Sequence, residues 1–499
     1  MSVAIKERPE LLAPKEATSL LDSLKDLLQR RSIECYVVGG FVRDGLLGRV
    51  NRDIDVAVSG NAIEIASSVA GDLGARVIPL NEANQVARIV LRRAGHEWHL
   101  DFATLRGSIE EDLQLRDFTI NAIATALPDF AGGFSEAHII DPLGGRLDLS
   151  RRVVRATGSD CFLNDPARLL RAIRFAAVLD FSIDRDTEAL IQRDHRLITT
   201  VAAERLRDEL WHILETPRAY QSLQHLERLG MLKEIMPELC VTEGVTQPKE
   251  HFWNVFDHSL HTVDTVERVL RERDFQEDDE VLSLAPWSSE IAEHVGGEIS
   301  AGRSRKALVK LAGLLHDIGK PATKTVEEDG RMRFLGHAKE GAAATAGLME
   351  RLRFSNREIN LVQSMVEHHM RSGDLLKGGV PSRRAIYRFF RDTADVGIET
   401  LLLGLADHLA ARGPSLDLGE WRKHCEMTQY VLSSWFEEQA RIVPPKLIDG
   451  HMLIERFGMA PGSQIGELLE IVREAQAAGE VETMEQAMDL IAMRLERLG

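Results

Sequence analysis

Cysteine is scarce in this chain: four occur in 499 residues, at positions 35, 161, 240 and 425, far apart and with no C-x-x-C pair. That distribution gives no disulfide framework and fits reduced, buried thiols in a cytoplasmic protein. No apolar run reaches the roughly 18–20 residues that a membrane span needs. Met1 to Glu16 is charged and proline-bearing, without the apolar core of a signal peptide. Internal repeats and long low-complexity tracts are lacking too. Positive charge is in deficit, since 61 Lys and Arg against 78 Asp and Glu leave a net charge of −17. Such a surface argues against nonspecific nucleic-acid binding by the whole molecule, though not against a local basic track. The length calls for several domains, because single cores stop growing at about 250–300 residues.

What is present concentrates first in residues 39–55. An apolar strand, Cys35 to Val38, runs into Gly39-Gly40-Phe41-Val42-Arg43-Asp44 and Leu46-Leu47-Gly48, and a second strand carries Asp53-Ile54-Asp55. Side chains at i and i+2 of a strand point to one face, so Asp53 and Asp55 project side by side. Adjacent carboxylates repel unless a cation lies between them. Mg²⁺ suits that place because it favours oxygen ligands and a bound triphosphate. The two glycines let backbone N–H groups approach phosphate closely. Arg43 adds a forked donor for phosphate oxygens. In this order and spacing the pieces point to a nucleotide-triphosphate site built for nucleotidyl transfer. His99-Leu100-Asp101-Phe102-Ala103 reads as a further strand, whose Asp101 can face the first pair as a third carboxylate.

More motifs follow. Arg116-Asp117-Phe118-Thr119-Ile120-Asn121-Ala122 sets an Arg and an Asn around an apolar pair, and Asp141-Pro142, Gly144-Gly145 and Asp148-Leu149 come next. Then come Asn164-Asp165-Pro166-Ala167-Arg168-Leu169-Leu170-Arg171-Ala172-Ile173-Arg174-Phe175 and Glu204-Arg205 with Glu209. Together these resemble the class II tRNA nucleotidyltransferase and bacterial poly(A) polymerase family over about residues 30–230. The chain departs from that pattern at Leu115, where the family usually has Arg, and at Asn164, where Glu is usual. The resemblance implies addition of C and A to the tRNA 3′ end from CTP and ATP. Asp53, Asp55 and Asp101 would then be the catalytic carboxylates, holding Mg²⁺, with Gly39, Gly40, Arg43, Arg116 and Asn121 around the triphosphate. A-only, CC-only and poly(A) addition share these motifs.

Asp165 and Arg168 are three residues apart, with Pro166 suited to a helix N-terminus. Residues i and i+3 share a helix face. Cytosine and adenine each show an amino donor beside a bare ring nitrogen on the pairing edge, whereas uracil and guanine show a carbonyl and a ring N–H. A carboxylate that accepts and a guanidinium that donates therefore suit C and A, in keeping with a protein that serves as its own template. Arg171 and Arg174 continue the helix at steps of three, either onto the triphosphate or into salt bridges of that helix. Glu204, Arg205 and Glu209 would orient the base-reading pair. From Arg146 to Arg174 seven Arg stand against three Asp, a net of +4. An RNA end could enter along this track by phosphate contacts, with Arg151 and Arg152 as its RNA-binding residues.

A different metal signature begins after residue 245. His258 lies on an expected helix, His316-Asp317 closes the apolar run Leu311 to Leu315, His337 follows in Gly336-His337-Ala338, then His368-His369 and Asp407-His408. Imidazole and carboxylate ligands on buried helices suit a divalent metal such as Mg²⁺, Mn²⁺ or Ni²⁺. The order resembles the HD phosphohydrolase superfamily over about residues 245–420, with His258, His316, Asp317, His337, His368 and Asp407 as ligands. His368 and His369 are both open candidates, and motif position favours His368. Metal-generated hydroxide would attack a phosphate ester. A reading of a different class follows, in which hydrolysis of a 2′,3′-cyclic phosphodiester or a nucleotide is the main activity.

The expected architecture is an α/β nucleotidyltransferase head, a mixed sheet with helices, over 1–150. Helical parts follow: a base-recognition and RNA-binding neck over 151–240, an HD domain over 241–430 and an RNA-contacting tail over 440–499. Residues 16–30 read as an amphipathic helix. The acidic, then Ser/Gly-rich stretch at about 274–304 reads as a mobile insertion in the HD domain. In the tail, Pro461-Gly462 and Ile465-Gly466 read as a turn ahead of a helix over Leu468 to Ala477.

Overall fold

A computed structural model describes residues 15–93, 95–130, 138–271, 279–300, 302–376, 379–442 and 445–496. Most of the charged stretch Met1 to Glu16 falls outside these. The chain divides into two compact units, one ending at Val201 and one beginning at Ala202.

The first unit is built on a seven-stranded sheet. Its strands are β1 (Cys35–Val38), β2 (Asp53–Val58), β3 (Arg76–Asn81), β4 (Val86–Arg93), β5 (His96–Thr104), β6 (Ala124–Ala126) and β7 (Ile139–Ile140). They lie in the order β3-β4-β5-β2-β1-β6-β7. β2 and β5 run parallel, and the other neighbours are antiparallel. The sheet is thus mixed, as expected. Before β1 comes α1 (Lys15–Gln29), which buries Leu20, Leu21, Leu24 and Leu28 at the helical period. α2 (Gly40–Leu46) links β1 to β2, α3 (Ala62–Leu73) follows β2, and α4 (Ile109–Gln114) follows β5. α4 opens with a capping box, in which the Ser108 side chain and Glu111 satisfy each other's backbone N–H. Beyond β7 the unit turns helical, with α5 (Gly145–Arg151), α6 (Cys161–Asn164), α7 (Arg168–Leu179) and α8 (Arg185–Asp194). A short parallel pair, Val153–Val154 with Ser182–Ile183, ties the approach to α6 to the exit from α7.

The second unit is helical from its start, with helices Ala203–Leu214 and Ala219–Arg228. Its centre packs Val255–Val269 against Arg305–Leu315 and Gly397–Arg412, and His337–Arg351 against Asn356–Leu376. Gly313 allows the first of these approaches, since a Cβ there would lie 3.2 Å from Thr262 Cγ2 and 3.3 Å from Val266 Cγ2. Among the described residues no helix is long and apolar enough to cross a membrane. The four cysteines form no disulfide, and Cys35, Cys161 and Cys425 are buried.

Two expectations need correcting. The stretch at about 274–304 is not a loose insertion where it is described. It forms helices Glu280–Leu284 and Ser289–Gly296 and a hairpin of Glu298–Ser300 with Arg303–Ser304. Apolar anchors explain this: Leu282, Ile291, Val295 and Ile299 are buried, and Trp421 Nε1 donates to Val281 O at 2.8 Å. Residues 274–278 and 301 lie outside the described residues. In the tail the helix begins at Ser463, so Ile465 and Gly466 are its first turn rather than part of the loop. Ile465 is buried in the tail's own core with Leu453, Leu468, Val472 and Ile491, which draws the helix start forward.

Candidate active site and metal centre

In the first unit the acidic residues form a row across the sheet. Parallel register sets Asp55 opposite Asp101 and Asp53 opposite His99, so all four side chains share one face. On the other flank of β2, Val38 pairs with Asp55 and leads into the Gly39-Gly40 turn. Gly39 has φ 70° and ψ −133°, a conformation left to glycine. A Cβ on it would come within 2.9 Å of Asp55 Oδ2 and 3.0 Å of Arg116 Nη1. Gly40 N–H donates to Asp55 Oδ2 at 3.3 Å. Burial, with the nearby charges of Asp101 and Asp53, raises the Asp55 carboxyl to about 6, although Arg116 and the Gly40 N–H pull it down. A half-buried carboxylate held beside two others is a cation site by its donor chemistry, and oxygen-only ligands suit Mg²⁺.

Two neighbours of this row carried no role in the sequence reading. His99 Nδ1 lies 2.8 Å from Asp53 Oδ1, and its Nε2 lies 3.2 Å from Glu97 Oε1. Arg88 on β4 grips Asp101 with both arms of its fork, Nε to Oδ1 and Nη2 to Oδ2, each at 2.7 Å. His99 stands two residues before Asp101 on the same strand face, a signal period-two reading carries. Arg88 is reached only through the β4–β5 register.

The expected nucleotide ligands divide into two groups. Arg116 stands beside Gly39 and Asp55, with only long contacts to Asp112 Oδ2 at 3.3 and 3.4 Å. Arg43, by contrast, is buried and turned inward. Its Nε and Nη2 donate to Asp44 at 2.8 and 2.9 Å, and its Nη1 donates to Asn121 Oδ1 at 2.7 Å. Asn121 in turn donates to Asp117 Oδ1 at 3.0 Å, and Arg171 Nη1 reaches Asp117 Oδ2 at 3.4 Å. Asn51 bridges Asp44 Oδ2 at 2.7 Å and the Asp53 N–H at 2.8 Å. A hydrogen-bonded chain thus runs from α7 to the start of β2.

Asp165 and Arg168 do not share a helix face as expected. Asp165 is extended and caps the end of α6, while Arg168 opens α7. Proline disfavours helical backbone in the residue before it, and Pro166 follows Asp165. Arg168 donates to the carbonyls of Arg116 at 3.1 Å and Leu115 at 2.9 Å. Asp165 Oδ1 accepts from Ala167 N–H at 3.2 Å. Arg174 lies over the Phe175 ring, 4.4 Å from its centroid. Arg151 ends α5 and Arg152 follows it at φ 57°, both exposed, with Arg152 3.7 Å from Asp180. Glu204, Arg205 and Glu209 belong to the first helix of the second unit, where Glu209 is buried.

In the second unit His258, His316 and Asp407 form one donor group, and Asp317, His337 and His369 another. Asp317 joins them. Its Oδ2 faces His316 at 3.2 Å and His258 at 3.5 Å, and its Oδ1 faces His337 at 3.4 Å and His369 at 3.8 Å. Lys320 Nζ holds Oδ2 at 2.6 Å, whereas Oδ1 is buried without a hydrogen bond. The structure corrects the histidine choice: His369, not His368, enters the cluster. His369 is buried and its Nε2 lies 3.2 Å from His337 Nε2, while His368 is turned a step around the helix. Both His337 and His369 direct Nδ1 at a carbonyl three residues back, Phe334 O at 2.8 Å and Val366 O at 2.7 Å. Nδ1 is therefore the protonated nitrogen, and two bare Nε2 lone pairs face each other. Burial holds both imidazoles below their ordinary range, His369 down to about 4, so neither readily takes a proton there. A divalent cation answers that arrangement, with the second nitrogens fixed as metal-binding imidazoles require. Burial pushes His316 down, but Asp317 and Asp407 outweigh it and raise that imidazole to about 10; metal would have to displace this proton.

Comparison with known proteins places both units among known families. Family models match in three places: the poly A polymerase head domain over residues 35–155, the probable RNA and SrmB-binding site of polymerase A over 180–242, and the HD domain over 255–412. The A-adding tRNA nucleotidyltransferase of Deinococcus radiodurans is 33% identical over 458 residues, covering 90% of this chain and 93% of that protein. The CC-adding tRNA nucleotidyltransferase of Geobacter sulfurreducens is 30% identical over 473 residues, covering 94% of each. Among solved structures, a CCA-adding enzyme in complex with ATP superposes with a TM-score of 0.63 at 23% identity, covering 97% of this chain and 96% of that one.

Proposed function

The chain belongs to the tRNA nucleotidyltransferase and poly(A) polymerase family and is a nucleotidyltransferase; within that family we propose that it adds C and A, without a nucleic-acid template, to the 3′ end of tRNA. The observation that carries this reading is the row of Asp53, Asp55 and Asp101 beside the Gly39-Gly40 turn. Divalent metal held by Asp53 and Asp55 would favour ionisation of the RNA 3′-hydroxyl and neutralise charge on the α-phosphate and the departing pyrophosphate. The chain's own part is positioning and charge. Gly39 keeps the turn clear of Asp55, Arg116 stands where a triphosphate would need a cation, and the Arg43–Asn121–Asp117 network fixes the floor beneath. Asp165 and Arg168 remain the base-reading pair by sequence, with Arg171 and Arg174 behind them. Arg151 and Arg152 are exposed cations suited to RNA phosphates. Reversing their charge should weaken RNA binding more than nucleotide binding.

The decisive experiment offers purified protein a tRNA ending before CCA, and one ending in CC, with labelled CTP and ATP supplied separately and together. Full addition gives both nucleotides in order. Incorporation of A alone onto the CC-ended RNA, or of CC alone, would instead assign one of the half-activities named for the relatives. Asp55→Ala should abolish every incorporation while RNA binding persists; retained incorporation would refute the site.

A second activity is favoured by one observation, the buried, unbonded Asp317 Oδ1 among histidines whose Nε2 atoms face inward. We infer a metal-dependent phosphohydrolase or 2′,3′-cyclic phosphodiesterase there. Its test is hydrolysis of a cyclic phosphodiester that is lost on His316→Ala and Asp317→Ala but kept on Asp55→Ala.

A further inference from the structure

Arg88 has no part in the reading above, yet it stands at the end of the acidic row. The transverse order across four strands is Arg88, Asp101, Asp55 and Val38, with the glycine turn following Val38. The two ends of the row therefore differ. One is backbone made bare by Gly39 and Gly40, which the proposed reaction gives to the nucleotide. The other is a guanidinium about a third exposed, 32% against 20% for its partner Asp101. The reaction has two anionic substrates, and the one left for the Arg88 end is the RNA terminus, whose last phosphodiester a forked donor fits. Meanwhile both oxygens of Asp101 are taken, each at 2.7 Å. Two of that carboxylate's roughly four lone-pair sites are thereby committed to the fork, which leaves fewer for a metal beside Asp55.

We propose that Arg88 is a positioning residue that caps Asp101 in the free protein and transfers its guanidinium to the terminal phosphodiester of bound RNA, so that Asp101 joins Asp53 and Asp55 in holding metal only when RNA is present. The inference rests on the nucleotidyltransferase reading of this site and adds an order to it, RNA before full metal binding. Exchange is feasible because a phosphate diester offers the fork the same two-oxygen geometry as a carboxylate. The like charges of Asp53 and Asp55 next to a freed Asp101 then supply the attraction for the cation.

The test measures Mn²⁺ binding by electron paramagnetic resonance on the full chain, with and without a tRNA ending in CC, beside steady-state kinetics. In the wild type, RNA should tighten Mn²⁺ binding. In Arg88→Ala, Mn²⁺ should bind more tightly without RNA, and RNA should add nothing further. Loss of one charge-assisted phosphate contact should raise KM for RNA by about tenfold or more, with KM for CTP and ATP little changed. Arg88→Lys, which keeps the charge but not the fork, should recover part of the RNA affinity and none of the capping, and it serves if the alanine variant folds poorly. The proposal is overturned if RNA tightens Mn²⁺ in Arg88→Ala as in the wild type, or if the KM increase falls on the nucleotide. Asp55→Ala separates the two levels. Should that variant stay active, the reading of the site fails; should it be inactive while Arg88→Ala behaves as wild type, only the capping role fails.

Discussion

Gly39→Ala isolates the geometry on which the active site depends. The substitution has two separable effects. One is backbone strain: φ 70° with ψ −133° is a region L side chains avoid, at a cost of about 1–3 kcal/mol. In a unit of about two hundred residues this lowers Tm by roughly 2–12 °C. The other is displacement, because the new Cβ would meet Asp55 Oδ2 at 2.9 Å and Arg116 Nη1 at 3.0 Å. Relief of either contact moves the Asp55 carboxylate proposed to hold metal or the arginine beside it, and a shift of about 1 Å in a reacting group lowers the rate by about a hundredfold. Gly74→Ala is the control. Gly74 caps α3 at φ 61° and ψ 33°, and a Cβ there meets nothing within 4 Å. It should lose stability through strain alone and keep the nucleotide incorporation rate. The assays are thermal melting and single-turnover incorporation of labelled CTP and ATP. A Gly39→Ala protein that melts lower yet transfers as fast as Gly74→Ala would refute the claim that the turn is kept bare for Asp55.

Further outcomes follow from other parts of the molecule. In metal-free protein, carboxyl NMR should show Asp55 titrating near 6 rather than near its ordinary 3.8. Because the native state holds that proton more tightly than the unfolded chain does, this group destabilises the fold above about 6, an effect that fades as pH falls through that value. Mn²⁺ affinity of the first unit should fall over the same range, and Asp53→Asn should lower the midpoint by removing a repelling charge. His369→Ala should reduce the metal content of purified protein by elemental analysis, whereas His368→Ala should leave it unchanged. Lys310 is fully buried, donating to the carbonyls of Leu214 at 2.8 Å and Thr216 at 2.6 Å, with Glu267 3.8 Å away. Lys310→Met should destabilise the second unit by about 1–3 kcal/mol in denaturant melts, because it removes a buried donor from the carbonyls of Leu214 and Thr216.

Strand-borne features were open to reading from sequence because a strand's period is fixed. Asp53, Asp55 and Asp101 could be assigned to one face without coordinates, and the parallel register of β2 and β5 sets them so. What register alone decides stayed hidden: Arg88 is thirteen residues from Asp101 in the chain and opposite it in the sheet. The helical assignments failed where a local rule was outweighed. Pro166 suits the start of a helix that would hold Asp165, but the same proline drives Asp165 out of helical backbone. The buried stripe Val362, Met365, Val366 and His369 has helical spacing and would have selected His369 over its neighbour. The tail helix was placed late because two glycines suggested a longer turn, although Ile465 between them belongs to the core.

The arginines at the first site can be ranked by what each would lose on turning to a phosphate. Arg43 is 10% exposed at its side chain and makes three bonds of 2.7–2.9 Å to Asp44 and Asn121. Withdrawing it would cost Asp44 and the buried Asn121 amide oxygen their bonds to Arg43, at about 1–3 kcal/mol for each group. It would also cut the chain of bonds that holds the Asp53 backbone through Asn51. Arg116 is 23% exposed, and its contacts to Asp112 at 3.3 and 3.4 Å are longer than the bonds that hold Arg43. It lies against Gly39 and Asp55, so reaching a triphosphate there needs little rearrangement. On the proposed function, the forked donor expected of Arg43 is therefore better filled by Arg116, with Arg43 as the fixed support beneath it. Arg168 reinforces that division by bonding the carbonyls of Leu115 and Arg116. The opening of α7 and the arginine beside Asp55 are thereby joined through one short segment of chain.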